Sequence, residues 1–242
     1  MKKKIGILSL ILVVIAVLVG VKFGTTDDSW EGIEVAKESL KNLKKAEGYA
    51  VERKIESKMV TPQNETLEDA VLETYHTKID SNGLVKLDYI DEQVMNGKIR
   101  KLGKATFYFN KDNVYSDKNS QLYNWLAEEI LEEESLKIAE NKLQLFVDDL
   151  ELNQSGKIVT EAEVKEELRD EQYVITIKYE DATGTLQSST TLYIDENSKE
   201  PVKLEVKDNS NGFQISETYQ WGNINDVEDI IIPKEAESFT NH

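Results

Sequence analysis

Between Tyr49 and Trp221 the chain alternates apolar and polar residues in short runs, and turn signals separate the runs every ten to fifteen residues. Successive strand side chains point to opposite faces, so this alternation specifies a sheet with one buried face. Tyr49, Val51 and Ile55 share one face with Met59; Val71, Tyr75 and Ile79 share the next; Val85, Leu87 and Tyr89 continue it. Asp80 to Gly83 and the pair Asn96-Gly97 read as turns, the second being the strongest hairpin signal in the chain. Further strands are expected around Thr106 to Phe109, Val164 to Leu168, Tyr173 to Tyr179, Leu186 to Asp195, Pro201 to Lys207 and Phe213 to Trp221. Between the last two, Asp208 to Gly212 reads as a turn. Connections this short make neighbouring strands antiparallel.

Two stretches break the alternation. Trp30, Ile33, Ala36, Leu40, Leu43 and Ala46 recur at three- and four-residue steps, giving one apolar helix stripe that ends at Gly48. Lys41, Lys44 and Lys45 suit the negative end of that helix. In mid-chain, Leu122, Trp125, Leu126 and Ile130 are roughly helix-spaced, and Leu143, Phe146, Val147 and Leu150 form a cleaner stripe. The expected class is α+β: one curved antiparallel sheet, an open half-barrel of about ten strands, with helices covering its concave face.

Ahead of this domain, Ile5 to Val21 is apolar or small throughout and follows Lys2, Lys3 and Lys4. At about 1.5 Å per residue such a run spans roughly 25 Å as a helix, the short end for a bilayer. The lysines hold the start in the cytoplasm and send the rest outside. Leu18, Val19 and Lys22 fit a cleavage site poorly, so an uncleaved anchor over residues 1–24 is expected, with a cleaved signal and secretion as the alternative. Residues 25–242 then form one extracytoplasmic domain. The absence of cysteine excludes a lipoprotein anchor and disulfide staples.

The net charge is −17, and every residue of the first 22 that is charged is a lysine. The exported part is therefore more acidic still, which opposes nucleic-acid binding and close contact with anionic lipid. No catalytic constellation stands out. His76 sits in a strand and His242 is the last residue, too few for a zinc site or a nucleophile with a histidine base. The Asp208 to Gly212 stretch lacks the glycine and glutamate positions of a calcium loop. No cofactor and no enzymatic activity are expected.

Two features remain. Lys98, Arg100, Lys101 and Lys104 gather on one hairpin with no acid between them, either a solvated hairpin or a holder of an anionic headgroup. Large side chains also crowd the strand faces and the central helix. Tyr75, Tyr89, Phe107, Phe109, Trp125, Tyr179, Tyr193 and Tyr219 are the candidate lining of an apolar cleft between sheet and helices, the alternative being that they simply fill a core.

An exported chain with a leading amphipathic helix, meandering strands, mid-chain helices and further hairpins resembles the LolA, LppX and LprG superfamily over residues 29 to 239. The ending Ile230-Ile231-Ile232-Pro233-Lys234-Glu235-Ala236 is similar to the strand-then-Pro-x-x-Ala close of its Gram-positive members. The resemblance implies a half-barrel that binds lipid or lipoprotein acyl chains under its helices. It also implies a regulatory role through an envelope protein partner. A tethered member passes lipid locally or senses it. The remaining alternative is a cell-surface sensor or protein-interaction domain without a small-molecule ligand.

Overall fold

A computed structural model describes residues 28–60, 66–110, 113–116, 137–154, 161–180, 187–210 and 213–239. Helix α1 (Asp28–Lys45) leads into strands β1 (Tyr49–Val60), β2 (Thr66–Ile79), β3 (Val85–Met95), β4 (Lys98–Phe109) and β5 (Val114–Ser116). Helix α2 (Ile138–Gln154) follows, then β6 (Glu161–Arg169), β7 (Gln172–Glu180), β8 (Gln187–Asp195), β9 (Pro201–Ser210), β10 (Phe213–Gly222) and β11 (Glu237–Phe239). All eleven strands belong to one sheet, ordered β11-β5-β4-β3-β2-β1-β10-β9-β8-β7-β6. Every recorded pairing is antiparallel. Two meanders, β1 to β5 and β6 to β10, are joined where β1 pairs with β10, giving an open sheet consistent with a half-barrel.

Four residues of the expected helix stripe are buried. Ile33, Ala36, Leu40 and Leu43 of α1 meet Leu143, Phe146, Val147 and Leu150 of α2 in one core with the strand residues Ile175, Ile177, Leu192, Ile194, Leu204 and Tyr219. These side chains define an inner, helix-covered face. A second cluster, Val85, Leu87, Tyr89, Phe107, Phe109 and Val114, occupies the inner face of β3 to β5. The outer face carries ion pairs two residues apart along a strand, such as Lys86–Asp88 and Lys203–Glu205.

Gly48, between α1 and β1, lies where neighbouring backbone leaves no room for a side chain. A side-chain carbon there would lie 2.6 Å from the Ile79 carbonyl oxygen and against the Asp80 backbone. Gly48 also accepts the Asn225 amide at 2.8 Å, tying the C-terminal segment to the α1–β1 corner. Neither neighbour is a flexible side chain, so Gly48→Ala should cost about 1–3 kcal/mol, read as a lower midpoint in urea unfolding.

Two features differ from the sequence reading. The stretch Asp208 to Gly212 is not all turn: Asp208, Asn209 and Ser210 continue β9 opposite Ile215, Gln214 and Phe213. Ile230 to Ile232, expected from the resemblance to be a strand, is not one. Both edges of β10 are taken by β1 and β9, so the segment runs on as a strap. The Ile230 amide bonds the Asp80 carboxylate at 3.0 Å, Ile231 is exposed, and the chain reaches β5 to add β11. The Ile5–Val21 run and the helical spacing around Trp125 lie outside the described residues. Among the described residues no helix is long and apolar enough to cross a membrane.

Candidate functional site

The β1–β10 pairing lines up side chains from both meanders in rows across the inner face. One row runs Leu204, Tyr219, Arg53, Tyr75, Tyr89, Ala105. The next runs Val206, Glu217, Ile55, Glu73, Asp91, Gly103. Alternation would put apolar residues at every one of these positions. Instead, charged groups sit in the middle of the buried side of the sheet.

Arg53 is the hub. Its Nε and Nη2 donate to Glu217 Oε1 at 2.6 and 2.5 Å. The Tyr219 hydroxyl donates to the same oxygen at 2.6 Å, and Lys142 Nζ of α2 lies 3.6 Å from Glu217 Oε2. The guanidinium carbon lies 5.1 Å from the Tyr75 ring centre and 5.7 Å from that of Tyr219, in cation–π range of both. A carboxylate that is 8 % exposed is thus held by two cations and a hydroxyl, as a buried charge requires. Burial first, and the facing Glu217 carboxylate next, push the Tyr219 hydroxyl well above its ordinary range, so it serves as a donor.

One strand further, Glu73 Oε1 accepts the Tyr89 hydroxyl at 3.0 Å and the Tyr75 hydroxyl at 3.5 Å. The two tyrosine rings are 5.0 Å apart. Asp91 stands directly across from Glu73. Burial, then the Glu73 charge, raise the Asp91 carboxyl above its ordinary 3.8. An acid with a raised folded pKa holds its proton more tightly in the folded state. Its charge therefore destabilises the fold as pH rises past the unfolded value, fully so above the folded one. Asp91→Asn should raise the unfolding free energy at pH 7 by a few tenths of a kcal/mol, read by urea denaturation, and the gain should vanish near pH 3.

Below these rows the inner face opens to solvent and carries five exposed apolar side chains among polar ones such as Ser57 and Gln93. Met59, Val71, Met95, Phe213 and Ile215 are 37 to 54 % exposed. The register places Phe213 beside Met59, and Ile215 two strands from Val71 with Ser57 between. Read from the helix-covered end, the face is a closed core, then a charged and aromatic band, then an open apolar rim. Two clefts of about 580 and 320 Å³ lie over the outer face, the first beside Lys78, Lys86 and Tyr108, the second beside Lys54, Leu72 and Thr218.

Of the eight residues singled out in the sequence, five converge on the inner face: Tyr75, Tyr89 and Tyr219 in the band, Phe107 and Phe109 in the neighbouring cluster. Tyr179 is also on that face, but under α2, where its hydroxyl bonds Asp149 at 2.5 Å. Tyr193 points the other way. Leu192 and Ile194 take the core positions, leaving Tyr193 outside beneath Lys203 and bonded to Glu205. Trp125 lies outside the described residues. His76 stands on the outer face 3.2 Å from Glu52. Sequence reasoning missed Arg53, Glu73, Asp91 and Glu217, although each occupies the apolar phase of its strand: Glu73 between Val71 and Tyr75, Glu217 between Ile215 and Tyr219.

No protein-family model matches the chain, and no curated protein matches it. Among solved structures it is similar to a DUF1329 family protein from Desulfovibrio piger, with a TM-score of 0.23 and 8 % identity over 82 % of this chain and 92 % of that one. It is also similar to a LolA superfamily protein from Nitrosomonas europaea, with a TM-score of 0.24 and 11 % identity over 80 % of this chain and 94 % of that one. Likeness this distant carries no weight for function, which rests on the chain's own rows of side chains.

Proposed function

We infer that this chain is a non-catalytic, LolA-like binding protein for a lipid or lipoprotein acyl chain, working outside the cell and held to the membrane by Ile5–Val21. The observation that carries the reading is the open rim of Met59, Val71, Met95, Phe213 and Ile215, five apolar side chains left in water on the same face that elsewhere is covered. Exposed apolar surface of this kind marks a place for another apolar body. Hydrocarbon laid along the rim stops at the Arg53–Glu217 band, whose charges cannot lose their partners to a methylene chain. The band thereby sets how far the ligand reaches. Glu73 and Asp91 face each other across neighbouring strands, and Glu73 is already engaged by two tyrosine hydroxyls.

A second reading, a sensor or protein-interaction domain without a small-molecule ligand, is favoured by one observation. Beneath the helices Leu143, Ile177, Leu192, Leu204 and Tyr219 have no exposed surface, so that half of the interior is filled. The two readings separate when cells expressing the full chain are fed a photoactivatable fatty acid. Crosslinked lipid should map to peptides carrying Met59, Val71, Phe213 and Ile215, and Val71→Asp with Ile215→Asp should reduce it severalfold. Crosslinks confined to residues 1–24 would leave only the sensor reading.

A further inference from the structure

The β3–β4 hairpin runs against the character of the whole molecule. In a chain with 29 basic and 46 acidic residues, the stretch from Gln93 to Asn110 holds no acid. Its Lys98, Arg100, Lys101 and Lys104 are all exposed. Ile99 is 65 % exposed and Leu102 49 %. The turn itself is tight, with Asn96 and Gly97 at φ 50° and 70°. Pairing of Met95 with Lys98 and of Val94 with Ile99 fixes which way each side chain points. Lys98 and Arg100 share the inner face, and Ile99, Lys101 and Lys104 the outer one. Leu102 is the extra residue where the register shifts between Asp91 and Glu92. Two acids from neighbouring positions approach: Asp69 accepts the Asn96 amide at 3.0 Å, and Glu92 lies 3.9 Å from Lys101. Four cations and two large apolar side chains therefore surround the tip on both faces.

We propose that this hairpin docks end-on into an anionic lipid bilayer surface. Cations on both faces suit a tip entering a layer of headgroups better than one face lying on it. Ile99 and Leu102 suit the apolar boundary beneath the headgroups. The acidic body is repelled by the same surface, so contact is limited to the tip and the sheet stands away from the membrane. A stable protein partner would need about 20–30 residues on this side, far more than a hairpin end supplies. The proposal does not depend on lipid binding at the inner rim.

Because the chain has no cysteine, one label can be placed cleanly. Full-length protein carrying Ile99→Cys, or Ser81→Cys at the opposite end of the sheet, is labelled with an environment-sensitive fluorophore. Each is reconstituted into vesicles of phosphatidylcholine alone or mixed with phosphatidylglycerol, with a quencher on the acyl chains. The label at 99 should be quenched at least about twofold in the anionic vesicles at low salt, and the label at 81 should not. Raising salt to about 0.5 M should relieve the quenching. Lys98→Glu with Arg100→Glu should weaken it by roughly fivefold or more for each cation lost. Equal emission at 99 in both lipids would overturn the proposal. So would an unquenched label at 99 whose cysteine crosslinks instead to a protein in intact cells. Val71→Asp with Ile215→Asp, away from the hairpin, should leave this readout unchanged, so failure here and failure of acyl binding are distinguishable.

Discussion

Glu217→Ala should lower the unfolding free energy by about 3 kcal/mol, measured by urea denaturation at pH 7. The loss comes from what stays behind rather than from the carboxylate removed. Arg53 would keep its place between two aromatic rings with no acid to pair it, Lys142 would lose its nearest acid there, and the Tyr219 hydroxyl would lose its acceptor while buried. Removing both charged partners together is a different experiment. Arg53→Met with Glu217→Leu should recover part of the loss, because the guanidinium is no longer left unpaired between the rings, while Lys142 and the Tyr219 hydroxyl still lack the Glu217 carboxylate. If Glu217→Ala alone were neutral, the band would be a solvated surface feature, not a buried one.

The second large effect belongs to the helix-covered half. Leu143→Ala should destabilise the protein by about 3–4 kcal/mol. Leu143 has no exposed surface and sits in the core that α1, α2 and the strands share. Its loss removes contacts from both helices at once, and the well-filled surroundings have little room to collapse. Phe213→Ala is the informative partner. That side chain is larger, yet it is 46 % exposed at the rim, so its removal should change stability by no more than about 0.5 kcal/mol. The pair separates side chains that hold the fold from side chains kept for something else.

Most of the architecture was legible because it is written locally. Ile33, Ala36, Leu40 and Leu43 announce α1, and Asn96-Gly97 announces the β3–β4 hairpin. What could not be read is the pairing of β1 with β10, strands that are far apart in the chain. That single long-range contact turns two meanders into one sheet, and it alone brings Arg53 to Glu217. The strap at Ile230 to Ile232 misled for a related reason. Three β-branched residues look like a strand, but a strand needs a free edge, and the β10 edges are occupied. Tyr193 misled because size was weighed above phase: Leu192 and Ile194 already claim the core side of β8. Conversely, Glu73 and Glu217 were detectable, since an acid in the apolar phase of a strand must find partners or stay near water.

An inner face that takes up lipid at its rim is most directly tested by native mass spectrometry of the full-length chain, released from detergent after extraction from its host membrane. The wild type should carry a lipid-sized mass that Val71→Asp with Ile215→Asp removes while folding is retained. A wild type without added mass, or an adduct that persists undiminished in the double variant, would contradict the rim as the binding surface.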